Sequence, residues 1–411
     1  MKQEKIVVTG LGVICANGKS LSEFRRNLED GVTGVGSVTL FDVSPYRCKI
    51  AGQVRECDYG KDDFEDRAAM FAVNAAAMAI EDAGLKLDSK GNDRVGVILG
   101  TTMGGIASFE KFYRSQFMGD SEKYYRNLEK QHTFHIMTDA VAEKFSLRGP
   151  KSTVCVACAS GTNSIGYAAD LIRAGKADIM LAGGSDSLSE FVFSGFSALR
   201  AITPSDRIRP YDRDRDGTAL GEGAGILVLE REESAVKRGA KIYAEYAGYG
   251  FSNDAYHPTQ PDREGPGLAK AMEYALRESG LPGDAIDYIN LHGTGTKAND
   301  VMETNAIKRV LGAHTKRIMA STIKPMVGHT LGAAGAIEAI ATVLSIKDDF
   351  APPTINHVTA DSECDLDIVP NKARKAKINV AMSLSAAFSG NYAAVMFKKH
   401  MRDNENAARS H

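Results

Sequence analysis

Long hydrophobic runs are missing from this 411-residue chain. Its apolar stretches are short or broken by glycine and charge, and the opening MKQEKIVVTGLGV lacks the apolar region of a secretory leader. The expectation is a soluble, cytoplasmic protein with no membrane partner. Excess charge of either sign is missing too. Fifty Lys and Arg stand against 52 Asp and Glu, a net charge of -2, which gives no case for nucleic acid or an anionic surface. Cysteine is scarce: Cys15, Cys48, Cys57, Cys155, Cys158 and Cys364 make no disulfide framework in so long a chain. No second CxxC and no close histidine pair accompanies Cys155 and Cys158, so a zinc site lacks ligands and no metal is expected. Proline is rare at 12 against 40 glycines, which points to tight turns and close packing. The remainder, 43% hydrophobic and 25% charged, is ordinary globular composition with room for one large domain or two or three smaller ones.

What is present alternates. KIVVTGLGV reads as a strand and turn, and 94–100, 177–186, 223–230 and 243–252 read as buried strands. Between them lie helical stretches such as 66–84, so the class is α/β with sheets covered on both faces. The stretch KSTVCVACASGTNSIGYAADLIRAG runs strand, small-residue turn, alanine-rich helix; RIMASTIKPMVGHTLGAAGAIEAIATVLSI runs the same way. That pattern suggests a duplication, with halves at 1–250 and 251–411.

Cys158 falls at the strand-to-helix turn of the first stretch, where unpaired N–H groups and the helix dipole favour a thiolate. Cys155 sits in the strand-like part and reads as packing. Free cysteine is usually buried filler, and CVAC lacks the turn context of a redox pair, so Cys158 needs partners to be a nucleophile. Two histidines offer themselves. His292 ends a short strand before a Gly/Thr loop, a position equally suited to a hydrogen-bonded turn histidine. His329 follows Lys324 by five residues and precedes GAAG, which lets another element approach closely. Glu338 on the apolar helix beyond wants a partner, and Lys324 is the natural one, either as a structural ion pair or as part of a site. GEGAG at 221–225 superficially resembles a phosphate loop, but a strand-like ILVLE follows it and the reading fails.

Together, VACASG, NLHGTGT and KPMVGHTLGAAG, in that order, resemble the Cys-His-His ketosynthases of the thiolase superfamily, and among them the β-ketoacyl-[acyl-carrier-protein] synthase II group. The likeness runs from VTGLGV through RPYDRDRDGTALGEGAGILVLE and APPTINH to FKK. It implies a duplicated five-layer α-β-α-β-α sandwich that is usually dimeric, as a homodimer or as the active half of a heterodimer with a chain-length-factor-like subunit. It implies that Cys158 is acylated from an acyl carrier protein. His292 and His329 then stabilise the enolate formed when a malonyl unit loses carbon dioxide. Lys324 tunes the site with Glu338 behind it, and the backbone N–H groups of Cys158 and Phe388 form an oxyanion hole. Thr294 and Thr296 match positions that contact the phosphopantetheine arm. Met103 matches the acyl pocket, and Arg200 a carrier-docking position, with Arg126, Lys130, Lys61 and Arg67 as weaker docking candidates. No organic cofactor is implied.

The sequence departs from the family at the glycine-rich gating loop, usually close to GFGGTN. Here it reads Ala386-Ala387-Phe388-Ser389-Gly390-Asn391-Tyr392. Alanine and serine restrict φ where glycine does not, so the loop either takes another conformation or moves less. With the bulk of Met103, this suggests a specialised ketosynthase, in polyketide or polyene synthesis, with fatty-acid synthesis as the alternative. Non-condensing acyl transfer is the runner-up, but Cys364 lies in an acidic context unlike a second catalytic cysteine. A non-catalytic partner subunit would have lost the nucleophile that this chain retains.

Overall fold

The computed structural model describes residues 4–55, 66–89, 91–118 and 132–401. The first strands are β1 (Ile6–Cys15), β2 (Val95–Gly100), β3 (Lys151–Val154), β4 (Ile179–Asp186) and β5 (Gly223–Arg231). They lie in the order β3-β2-β4-β5-β1. The later ones are β6 (Ala244–Asn253), β7 (Tyr288–Asn290), β8 (Met319–Ser321), β9 (Asp367–Ile368), β10 (Val380–Ala387) and β11 (Asn391–Lys398). Their order is β9-β8-β7-β10-β11-β6. Apart from the added edge strand β9, the second order repeats the first position by position. Direction repeats too: β2 pairs β3 and β4 in parallel, as β7 pairs β8 and β10, and the other shared pairs are antiparallel, while the added β9 joins β8 in parallel. The duplication expected from the two strand-turn-helix stretches is therefore visible in topology. β6 opens the second set, and β1 meets it over Ile6–Val8, which joins the halves into one 11-stranded sheet.

Helices sort into three layers. α1 (Arg67–Asp82) packs on β1, β5 and β4 from outside, with a second helix, Ile136–Lys144, beside it. α3 (Pro266–Ser279) and α4 (Lys297–Leu311) cover the outer face of the second half. Between the halves lie α2 (Ser160–Arg173) and α5 (Ala334–Asp348), which touch each other and strands of both halves. This is the five-layer α-β-α-β-α arrangement. α5 is buried from Ala334 to Ile346 on every side, as a helix with sheet on two faces must be, and Glu338 is the one charge in that span.

One local reading changes. KIVVTGLGV does not turn; β1 continues through it, with a bulge between Val8 and Gly10. A Cβ on Gly10 would sit 2.2 Å from the carbonyl of Ala79, and one on Gly12 1.9 Å from that of Ala75, so these glycines admit α1 onto the strand. The apolar helix that carries Glu338 starts at Ala334, after a 3-10 turn at Leu331–Ala333. GAAG does what its composition suggests: a Cβ on Gly335 would lie 2.0 Å from Thr162 Oγ1, so the central helices meet backbone to backbone there. Gly335→Val should therefore destabilise the fold by about 3 kcal/mol, read as a lower denaturant midpoint. An unchanged midpoint would show that the central layer yields at this point.

Candidate active site

Cys158 is delivered by the link between β3 and α2. Ala157, just before it, holds φ 51°, a left-handed conformation that costs a non-glycine residue on the order of 1 kcal/mol. Ser160 fastens this turn: its Oγ accepts from the Val156 N–H at 2.8 Å and lies 2.6 Å from the Ala157 carbonyl. The Cys158 sulfur is thereby turned toward the second half. There Gly328, at φ 78°, breaks the short helix Lys324–Val327, and His329 leaves it. The His329 backbone is clamped on both sides, its N–H on Ala219 at 2.7 Å and its carbonyl accepting from Gly221 at 2.8 Å.

The outcome is one buried constellation. His329 Nε2 lies 3.1 Å from Cys158 Sγ. His292, just beyond β7, meets His329 ring to edge, with centroids 5.2 Å apart. Lys324 Nζ lies 3.4 Å from His292 Nδ1 and also pairs with Glu338. Lys324 only donates, so Nδ1 of His292 is the acceptor and its proton sits on Nε2. Burial, then the charge of Lys324, then His329, hold the His292 pKa well below the ordinary imidazole value. Burial and Lys324 do the same to His329. Both rings are therefore neutral. Burial raises Glu338 to about 7 against the pull of Lys324.

The thiolate expected at the helix terminus is not the resting form. Burial drives the Cys158 thiol up to about 12, and Lys324 and the cysteine's own N–H offset only part of it. Desolvation outweighs the dipole because the residue is sealed on the protein side, only 6% exposed. Cys155 also departs from its reading as packing. It lies beyond the end of β3, is exposed, and its thiol points to the Thr102 carbonyl at 3.6 Å.

A cavity of about 330 Å³ opens onto Cys158, His292 and His329. Phe388, Thr294, Thr296 and Arg200 line it as well. The two threonine hydroxyls lie 2.9 Å apart, and Thr296 caps α4 through the Asn299 N–H. Phe388 stacks on Phe196 with centroids 5.4 Å apart. Met103 is not in this lining; it packs against the neighbouring hydrophobic cluster that includes Leu188, Phe193 and Leu331, as does the cavity residue Phe196. Arg67 holds Glu222 and the Val54 carbonyl, which makes it a structural residue. Lys61, Arg126 and Lys130 lie outside the described residues.

Sequence reasoning missed the acids that hold the His292 loop. Glu303 accepts from the N–H groups of His292 and Gly293 and from Tyr211, and Asp300 accepts from Tyr211 N–H and Gly295. Their three-residue spacing on α4, directly after NLHGTGT, was the available signal. His257 lines the cavity mouth with nothing in sequence to mark it. Among the described residues no cluster of His, Cys, Asp and Glu could hold a metal ion. Nor is any described helix long and apolar enough to cross a membrane.

Residues 3–235 match the β-ketoacyl synthase N-terminal domain, and residues 243–358 match the β-ketoacyl synthase C-terminal domain. The chain belongs to the β-ketoacyl synthase family. Among its curated relatives is the 3-oxoacyl-[acyl-carrier-protein] synthase 2 of Synechocystis sp., 40% identical over 97% of this chain and 99% of the relative. Among solved structures, the ishigamide ketosynthase/chain length factor is similar, with TM-score 0.92 and 39% identity over 97% of this chain and 100% of that one. So is a type II PKS acyl-carrier protein in complex with its ketosynthase bound to the hexaketide, with TM-score 0.91 and 34% identity over 97% of this chain and 100% of that one.

For a β-ketoacyl synthase with a neutral Cys-His pair, alkylation of Cys158 by iodoacetamide should climb steadily from pH 6 to pH 9. The sign follows from a thiol pKa raised above its usual value, so the reactive thiolate fraction still grows across that whole window. Mass spectrometry of a Cys155→Ser background isolates the reading. A plateau below pH 7 would mean a resting thiolate and contradict the geometry.

Proposed function

We propose that the chain is an acyltransferase of the β-ketoacyl-[acyl-carrier-protein] synthase type. The observation that carries this is the convergence of Cys158, His329 and His292 at the floor of one cavity with Lys324 buried behind His292, the first from one half of the fold and the others from the second.

The chemistry divides into two steps. In the first, His329 Nε2 takes the Cys158 proton as sulfur attacks the thioester carbonyl of an acyl chain held on a carrier protein. The carrier thiol leaves, taking a proton back. In the second, a malonyl thioester enters. The electrons of its carboxylate-bearing C–C bond move into the thioester as carbon dioxide departs. The resulting enolate oxygen receives the Nε2–H of His292, which Lys324 orients, and the Nε2–H of His329, whose proton has moved from Nδ1 to Nε2 between the steps; burial keeps both rings neutral. The carbanion attacks the acyl-Cys158 carbonyl, whose oxygen takes the N–H groups of Cys158 and Phe388. Collapse expels the Cys158 thiolate and frees a β-ketoacyl thioester. The thioester itself is the electron sink, so no organic cofactor or metal enters these steps.

The substrates ride on phosphopantetheine that passes Thr294 and Thr296. Arg200, exposed at the mouth beside Arg213 and Lys297, faces the acidic carrier protein. A second chain completes the enzyme. The helix Ile106–Met118 carries a ladder of Phe109, Tyr113 and Phe117, the last two 52% and 74% exposed, close in sequence to Phe134, which is also exposed. Such a surface calls for a partner. The partner is a second copy of the chain or a related subunit; the likeness to a ketosynthase solved with its chain length factor supports the related subunit, and with it a specialised pathway in place of fatty-acid synthesis.

Incubation with a panel of acyl-carrier proteins should add one acyl mass to the chain. Cys158→Ala should abolish the adduct and Cys155→Ala should leave it. No adduct from any donor would end the ketosynthase reading.

A further inference from the structure

The loop that departs from the family is not free. Ser389 occupies φ 62° and Gly390 φ 66°, so a serine holds a left-handed position that glycine would take at no cost. The turn persists because a neighbouring segment grips it. Ser389 N–H donates to the Pro258 carbonyl at 2.7 Å, and Asp254 N–H donates to Gly390 at 3.1 Å. Asn253 Nδ2 reaches both the Ser389 carbonyl at 2.8 Å and Asn391 Oδ1 at 3.1 Å. The Tyr392 hydroxyl donates to Asp254 Oδ2 at 2.7 Å. The Tyr392 ring is itself fitted: it lies 2.4 Å from where a Cβ on Gly267 would stand, so only glycine there admits it. The gripping segment continues into His257, Thr259 and Gln260, which line the Cys158 cavity together with Phe388.

We propose that Tyr392 and Asp254 are a positioning pair that ties the Phe388 turn to the His257 segment, so that these two parts of the cavity lining move as one body and set its width together. This makes Tyr392 a specificity-determining residue for acyl length, a role that rests on the ketosynthase reading, while the mechanical coupling does not. Four residues outside the usual loop pattern then acquire one meaning. Asn391 and Tyr392 supply bonds to the 253–258 segment, and Ala387 and Ser389 remove the freedom those bonds oppose.

The test compares wild type with Tyr392→Phe, which keeps the ring and removes only the hydroxyl. Amide hydrogen exchange read by mass spectrometry should quicken about fivefold, the factor of one net hydrogen bond, in 387–392 and 253–261 together. The helix Ser160–Arg173 should not change. Asp254→Asn combined with Tyr392→Phe should add nothing beyond the single change, since both break one contact. The acyl-length preference of the Cys158 adduct should broaden. Quickening in one segment alone, additive effects in the double variant, or no change in either segment would overturn the coupling. If wild type takes no acyl group while the exchange result holds, the coupling stands and the ketosynthase reading falls.

Discussion

The structure depends on how closely α2 and α5 approach each other between the two sheets. Gly161 sits where a Cβ would meet the Gly332 carbonyl at 2.8 Å and Ala336 N at 2.9 Å, and Gly335 is equally tight on Thr162. Only at that separation does the turn before α2 put the Cys158 sulfur on His329 at 3.1 Å. Each half contributes what the other lacks. The first gives a nucleophile on a strained turn; the second gives two imidazoles and a lysine from loops that follow β7 and β8. A duplicated fold thus makes one asymmetric site, because the equivalent strand-turn-helix units end in a cysteine on one side and a histidine on the other.

Burial sets the chemistry of that site more than any single charge. It raises the thiol and lowers both imidazoles, which leaves a proton that can pass from sulfur to His329 and two neutral N–H donors for an enolate. Lys324 works against the rings' protonation and orients His292 through Nδ1, and Glu338 offsets the cost of burying that lysine. Removing Glu338 would strand the charge, so the two belong together although only Lys324 touches a catalytic ring.

Much of this was legible in the sequence. The three motifs named the cysteine, both histidines and the lysine–glutamate pair, and the repeated strand-turn-helix pattern anticipated the doubled topology. What escaped depends on distance. Gly10 and Gly12 read as a turn because sequence does not show α1 lying across them. Cys158 read as a thiolate because a helix terminus is a local feature and desolvation is not. Cys155 and Cys158 differ by three residues and end in opposite environments once the turn reverses the chain. Met103 and Arg67 were placed by matching position, and their actual neighbours give them packing and ion-pair work. The loop around Phe388 announced its departures plainly, but their purpose appeared only with the segment 253–258 laid against it.

His292 and His329 serve carbanion formation as neutral donors, independently of the nucleophile. Carbon dioxide release from malonyl-[acyl-carrier-protein] measures this directly. Cys158→Ala should still release it while forming no condensation product. Adding His292→Ala and His329→Ala to that variant should cut the release by about 10²-fold or more, the scale of losing oxyanion donors. Release that persists undiminished without both histidines would mean that neither ring stabilises the enolate.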